Sequence, residues 1–88
     1  MKVVITGAAG QISYSLIPFL CENGIFNSEE KLDLALVEIP GAMERLGGFV
    51  KELEDSAYST VNSISTYDNI QDAVVDAFVF ISLRRHDP

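Results

Sequence analysis

The 88-residue chain has one cysteine, only six basic residues, and no apolar run of the roughly 18 residues that a membrane-spanning helix needs. Because Cys21 has no second cysteine, a disulfide framework and a cysteine metal cluster are both excluded. Thirteen acids outnumber those bases and give a formal charge of −7, which argues against a nucleic-acid partner. The Met1–Lys2 start lacks the layout of a signal peptide, so we expect a cytoplasmic protein with no membrane partner.

The composition is that of a folded chain. Hydrophobic residues make up 48% of the sequence and charged residues 22%, which excludes charge-rich intrinsic disorder. A chain of this length buries only about 60% of the surface that it exposes when unfolded. The sequence therefore predicts one small unit over residues 1–88, of marginal stability on its own.

Strand and helix patterns alternate along the chain. Short β-branched or apolar runs predict strands, and apolar residues at spacings of three and four predict helices. The predicted strands are 2–6, 32–38, 61–67 and 77–82, and the predicted helices are 10–22, 43–57 and 68–73. This alternation is typical of an α/β fold with a parallel sheet and helices on both faces.

The first and third helices raise specific expectations. Ile12, Leu16, Phe19 and Leu20 form an apolar stripe that should pack on the sheet. Pro18 inside the same helix costs about 3 kcal/mol in a regular helix interior and predicts a kink. Asp68 is expected to cap the third helix.

A glycine-rich turn separates the first strand from the first helix. In nucleotide-binding folds, this is where free helix amides face a pyrophosphate. The pattern is an incomplete glycine motif, because Ser13 stands where a third glycine would fall, and the two glycines could instead serve a tight turn alone. No lysine and serine or threonine follow it, which excludes a phosphate loop of the kinase type. The candidate pyrophosphate-binding residues are Gly7, Ala8, Ala9, Gly10, Gln11 and Ile12.

Glu38 ends the second predicted strand and should lie beside the glycine turn. A carboxylate at this place accepts hydrogen bonds from the adenosine ribose hydroxyls and repels a 2′-phosphate. The sequence therefore favours NAD over NADP, although a solvated strand end is the alternative interpretation. By contrast, Cys21 is expected to be a core residue, because no histidine lies near it in sequence to activate the thiol.

Arg84, Arg85 and His86 follow the fourth strand directly. They should leave the sheet at its carboxyl edge, where open parallel sheets bind ligands. A cationic loop there could hold an anionic substrate, or it could be an ordinary basic surface turn.

The chain resembles the amino-terminal part of malate dehydrogenases of the cytosolic type, within the lactate/malate dehydrogenase family. The resemblance covers essentially the whole chain, including Pro18, and the acidic block 52–55 distinguishes it from short-chain dehydrogenases. The segments that carry it are Thr6–Ile12, Tyr14–Leu16, Glu38–Glu44 and Glu52–Asp55. After the fourth strand the sequence departs from the family, since Ser82 and Leu83 replace a small pair.

The resemblance implies a particular enzyme and a particular part of it. Residues 1–88 would be the first four strands of a doubly wound, NAD-binding Rossmann domain, without the substrate domain. The complete enzyme would be a homodimer that transfers hydride between NAD and a small 2-hydroxy acid such as malate. Arg85 or His86 would align with a substrate-binding position, while the family's catalytic aspartate and histidine would lie beyond Pro88. The alternative is a nucleotide-binding or interaction module without catalysis.

Overall fold

The computed structural model describes residues 1–24 and 29–83, and these form one four-stranded sheet with three helices. The elements in chain order are β1 (Lys2–Thr6), α1 (Gln11–Asn23), β2 (Leu32–Val37), a 3₁₀ turn (Pro40–Ala42), α2 (Met43–Ser56), β3 (Val61–Tyr67), α3 (Ile70–Ala73) and β4 (Val79–Ser82). No helix within these described residues is long and apolar enough to cross a membrane.

All four strands are parallel and lie in the order β3-β2-β1-β4. The two central strands, β1 and β2, are buried through most of their length, which explains their nearly unbroken apolar sequences. The edge strands β3 and β4 alternate between exposed and half-buried residues. The predicted parallel α/β architecture is confirmed, and β1 lies beside both β2 and β4.

Helices cover both faces of the sheet, but unequally. On one face, α1 and α2 bury the larger core, which includes Ile5, Ile17, Leu34 and Leu46. On the other face, Ala73 of the four-residue α3 packs against a smaller core. That second core consists of Val4, Ala35, Val37 and Ala73.

The predicted sheet-facing stripe of α1 is wrong at Ile12 and Phe19, whereas Leu20 packs against the larger core. Ile12 and Phe19 are 62% and 60% exposed, whereas Ser13, Ile17 and Cys21 are buried. The buried residues follow one another at intervals of four and include two small side chains. Small side chains allow α1 to lie close to the sheet, so packing selects the less hydrophobic face. Pro18 lies inside a helix that continues on both sides of it.

Several boundaries differ slightly from the sequence-based expectation. Asn69 caps α3 in place of Asp68, because its side-chain oxygen accepts the Asp72 amide at 2.9 Å. The strand β2 ends one residue before Glu38. In α2, the buried residues are Leu46, Phe49 and Leu53.

Candidate functional site

The carboxyl ends of the two neighbouring strands β1 and β4 are tied together by side-chain hydrogen bonds. The hydroxyl of Thr6, at the end of β1, donates to the Ser82 hydroxyl at 3.3 Å. The same Thr6 hydroxyl accepts the Leu83 amide at 3.2 Å. These contacts bring the chain that leaves β4 next to the turn that leaves β1.

Gly7 begins that turn and leaves no room for a side chain. Its φ is +66°, in the left-handed region that glycine favours. A Cβ atom placed on Gly7 would lie 2.3 Å from the Leu83 carbonyl oxygen. The sequence indicated that Gly7 makes space for a ligand, but the close neighbour in the structure is the protein's own backbone.

Three consecutive amides of the turn already donate to acceptors inside the protein. The pairs are Ala8 with the Val37 carbonyl at 3.2 Å, Ala9 with the Glu38 carboxylate at 3.0 Å, and Gly10 with the Gly7 carbonyl at 3.0 Å. These hydrogen bonds fix the path of the turn. They also mean that these three amides are held by the fold itself.

The amides available to a ligand lie one step further on, at the start of α1. Within residues 1–24 and 29–83, the amides of Gln11, Ile12 and Ser13 donate to no acceptor, and the first helical bond runs from Tyr14 to Gly10. Gly10 precedes the helix without a side-chain cap, and the first turn of α1 contains no acid. An uncapped helix start of this kind attracts an anion through both its amides and its dipole.

Glu38 faces the same turn from the end of β2. Its amide donates to the Tyr67 carbonyl at 3.1 Å, at the end of the β2–β3 pairing. Its Oε2 accepts the Ala9 amide and its Oε1 accepts the Ile39 amide, each at 3.0 Å. The carboxylate is half-buried and oriented, unlike a freely solvated strand end. Each oxygen keeps a lone pair that can accept a hydrogen bond from a hydroxyl group.

The remaining candidate residues either lie outside the described part of the chain or lie in the core. Arg85 and His86 lie outside the described residues, as does Arg84. Cys21 is buried in α1, and burial raises the pKa of its thiol to about 11. A thiol with this pKa stays protonated at neutral pH, so Cys21 is a core residue as expected.

Sequence reasoning missed a role for Ser13. Its hydroxyl donates to the Gly7 carbonyl at 2.7 Å, and the side chain is only 1% exposed. The available signal was a polar residue at the position of the motif's third glycine. A serine there can hydrogen-bond to the turn, which glycine cannot.

A free helix start beside an oriented carboxylate, at the carboxyl edge of a parallel sheet, defines a dinucleotide-binding domain of the Rossmann type. The family model described as lactate/malate dehydrogenase, NAD binding domain, matches residues 1–82. The chain therefore belongs to that family.

Curated relatives agree with this assignment. Malate dehydrogenase of Magnetococcus marinus is 42% identical over 73 residues, which are 83% of this chain and 22% of that protein. The cytoplasmic malate dehydrogenase of Taenia solium is 37% identical over 76 residues, or 86% of this chain and 23% of that protein. The chain thus spans less than a quarter of the length of these relatives.

A solved structure agrees at the level of the fold. Lactate dehydrogenase of Trichomonas vaginalis, in complex with NADH and oxamate, superposes with a TM-score of 0.88 at 30% identity. The match covers 99% of this chain and 26% of that one. The four-stranded unit therefore has the same arrangement as one part of a larger dehydrogenase.

Proposed function

We propose that this chain binds NAD across the turn between β1 and α1, as the amino-terminal part of an NAD-binding domain. One observation carries the proposal: the free amides of α1 and the Glu38 carboxylate face the same turn. The amides suit an anion and the carboxylate suits a diol, and a dinucleotide presents both groups in one molecule.

We propose that different parts of the cofactor bind to different groups of the site. The pyrophosphate would accept hydrogen bonds from the amides of Gln11 and Ile12, next to the open surface at Gly10. The adenosine ribose hydroxyls would donate to the free lone pairs of Glu38. Ala8 and Ala9 would shape the turn, since their amides are already occupied.

Glu38 also favours NAD over NADP. A 2′-phosphate would meet a carboxylate that two backbone amides already hold in place. The residue that follows, Ile39, brings no compensating positive charge. Repulsion between this carboxylate and the 2′-phosphate therefore disfavours the phosphorylated cofactor.

For the whole protein, we propose an NAD-dependent oxidoreductase that acts on a small 2-hydroxy acid or 2-oxo acid such as malate. Bound NAD would supply the hydride acceptor, while this chain's own residues bind and orient it. The similarity to malate dehydrogenases, one of them cytoplasmic, supports a cytoplasmic enzyme of this type. The lactate dehydrogenase with NADH and oxamate supports the 2-oxo acid class. A homodimer and a substrate role for Arg85 or His86 belong to the same proposal.

Direct titration with NADH tests cofactor binding. The chain contains no tryptophan, so no tryptophan emission overlaps the absorption of NADH when its fluorescence is followed. We expect saturable binding of NADH and weaker binding of NADPH. A chain that shows the circular dichroism of a folded α/β protein but binds neither cofactor would contradict the proposal.

A further inference from the structure

Within residues 1–24 and 29–83, Ser13 is the one polar or charged residue that is buried. It lies on the first turn of α1, where its own amide and those of Gln11 and Ile12 are free. Burial of a hydroxyl without a partner is unfavourable, so its single acceptor matters. That acceptor is the Gly7 carbonyl at 2.7 Å.

The hydrogen bond from Ser13 has its acceptor outside α1. A serine inside a helix usually bonds back to the carbonyl three or four residues earlier, within its own helix. Ser13 instead bonds to a carbonyl six residues earlier, beyond the start of α1. It therefore links the helix that carries the free amides to the turn in front of it.

The Gly7 carbonyl accepts more than one hydrogen bond within the turn. In addition to the Ser13 hydroxyl, it accepts the Gly10 amide at 3.0 Å, so two donors hold it. Gly7 has φ +66° and no side chain to restrict its backbone. Without Ser13, only the Gly10 amide would hold the carbonyl of this flexible residue.

We propose that Ser13 is a positioning residue, whose hydroxyl holds the Gly7 carbonyl and thereby aligns the free amides of α1 with the pyrophosphate. The inference rests on the proposed cofactor site, because it assigns a task to a residue behind that site. It also explains how this chain dispenses with a third glycine in the motif. Close packing of α1 on the sheet is retained because serine is small.

The test compares ligands with and without phosphates on the full 88-residue chain. ADP reports on the pyrophosphate and ribose positions together, whereas adenosine reports on the ribose position without any phosphate. Ser13→Ala removes the hydroxyl at nearly constant volume. Ser13→Cys has a slightly larger side chain and replaces the hydroxyl with a weaker donor, in case the alanine variant does not fold. Ser15→Ala, on an exposed position of the same helix, is the matched control.

We expect both Ser13 variants to lose about five- to tenfold in ADP affinity, measured by nuclear magnetic resonance titration, while adenosine affinity is unchanged. Ser15→Ala should match the parent for both ligands. An equal loss for ADP and adenosine would show that Ser13 only supports the fold, and unchanged ADP affinity would show that the bond is irrelevant to the ligand. Either result overturns the proposal for Ser13 alone. A folded parent chain that binds neither ligand would overturn the cofactor site, and this inference with it.

Discussion

Gly7 and Gly10 serve different purposes in the turn between β1 and α1. Gly7 combines a positive φ with a close approach to the Leu83 carbonyl, so the fold itself requires glycine there. Gly10 has an ordinary φ of −78°, and a Cβ atom on it would meet only the Gly7 carbonyl, at 3.2 Å. Its Cβ side is otherwise open, which is where a pyrophosphate would lie.

Valine at the two positions should therefore give different failures. Gly7→Val should unfold the chain, because the left-handed backbone alone costs about 1–2 kcal/mol and the clash with Leu83 adds to it. Gly10→Val should keep the fold but abolish NADH binding. Thermal melts and NADH titrations on both variants distinguish the effects. A folded Gly10→Val variant that binds like the parent would remove the pyrophosphate from this turn.

Glu38 has two tasks at the site. It accepts the Ala9 amide, which fixes the turn, and we propose that its remaining lone pairs accept hydrogen bonds from the ribose hydroxyls. Removal of the carboxylate should therefore affect both the turn and the ligand.

Glu38→Ala should weaken NAD binding by about 1–3 kcal/mol, the usual range for a charged hydrogen-bond partner. It should also reduce the preference for NAD over NADP. Glu38→Gln is the matched control, since it keeps an acceptor for Ala9 but removes the charge that repels a 2′-phosphate. The measurement is the ratio of NADH to NADPH dissociation constants. If this ratio is the same in the parent and both variants, Glu38 does not contact the ribose.

At the scale of elements, α1 is held from two sides. Its buried stripe packs on the sheet, and Tyr14 on a neighbouring face stacks on Phe49 of α2 with ring centroids 4.9 Å apart. The Tyr14 hydroxyl donates to Glu52 at 2.6 Å, and this bond to a carboxylate raises the pKa of Tyr14. These contacts join the helix that offers the free amides to the helix that follows Glu38.

The pairing of β2 with β3 contains a carboxylate whose pKa is lowered. Asp33 accepts hydrogen bonds from Asn62 at 2.8 Å and from Ser63 at 2.7 Å, and both bonds favour its charged form. The Met1 ammonium group lies 3.8 Å away and acts in the same direction. Asp33 therefore stabilises the fold at pH values above its ordinary pKa of 3.8, and this contribution is lost as the pH falls toward the lower folded value.

Asp33→Asn should thus be less stable than the parent near neutral pH, and the difference should shrink in acid. The asparagine keeps an acceptor oxygen but carries no charge, so the comparison isolates the charge. Urea unfolding of both proteins at about pH 7 and about pH 2.5 gives the two differences. A stability difference that stays constant over this range would show that the titration of Asp33 does not contribute.

At the scale of the whole molecule, the two edges of the sheet are unlike. The β3 edge presents polar residues such as Asn62 and Ser65, whereas residues 77–83 at the β4 edge are apolar apart from Ser82, and neither segment carries a charge. Phe78 and Phe80 in this segment are 69% and 48% exposed. An uncharged apolar edge strand with free backbone groups favours pairing with another chain.

The 88-residue chain should therefore self-associate through β4. Phe80→Lys places a charge at this edge and should shift the protein toward the monomer in sedimentation analysis. Phe19→Lys, at a similarly exposed position on α1, is the control and should not change association. If only Phe19→Lys dissociates the protein, the contact lies on α1 instead.

The same chain should bind cofactor without turning over substrate. The described site supplies amides and one carboxylate, and we propose that these groups bind and orient a dinucleotide. We expect no oxidation of malate or lactate at saturating NAD, followed by NADH absorbance. His86→Ala is the control, because His86 is the only histidine in the sequence. Turnover that disappears in this variant would identify His86 as a catalytic base and contradict its proposed role in substrate binding.

The sequence by itself determined the architecture and the location of the site. Alternating strands and helices predicted a parallel sheet, because β1 and β2 are too apolar to face solvent on either side. The glycine turn and Glu38 each follow a strand, so parallel pairing places both at one edge. These conclusions depend only on local pattern and on general rules of chain connection.

Tertiary structure decided what local pattern could not express. The buried face of α1 depends on how closely the helix approaches the sheet, and this favours Ser13 and Cys21 over the more hydrophobic Ile12 and Phe19. The need for glycine at position 7 comes from Leu83, which is 76 residues away in sequence. Two turn amides are occupied because the end of β2 supplies their acceptors, the Val37 carbonyl and the Glu38 carboxylate. Such contacts form only when distant segments pack together, so helical periodicity and motif spacing cannot predict them.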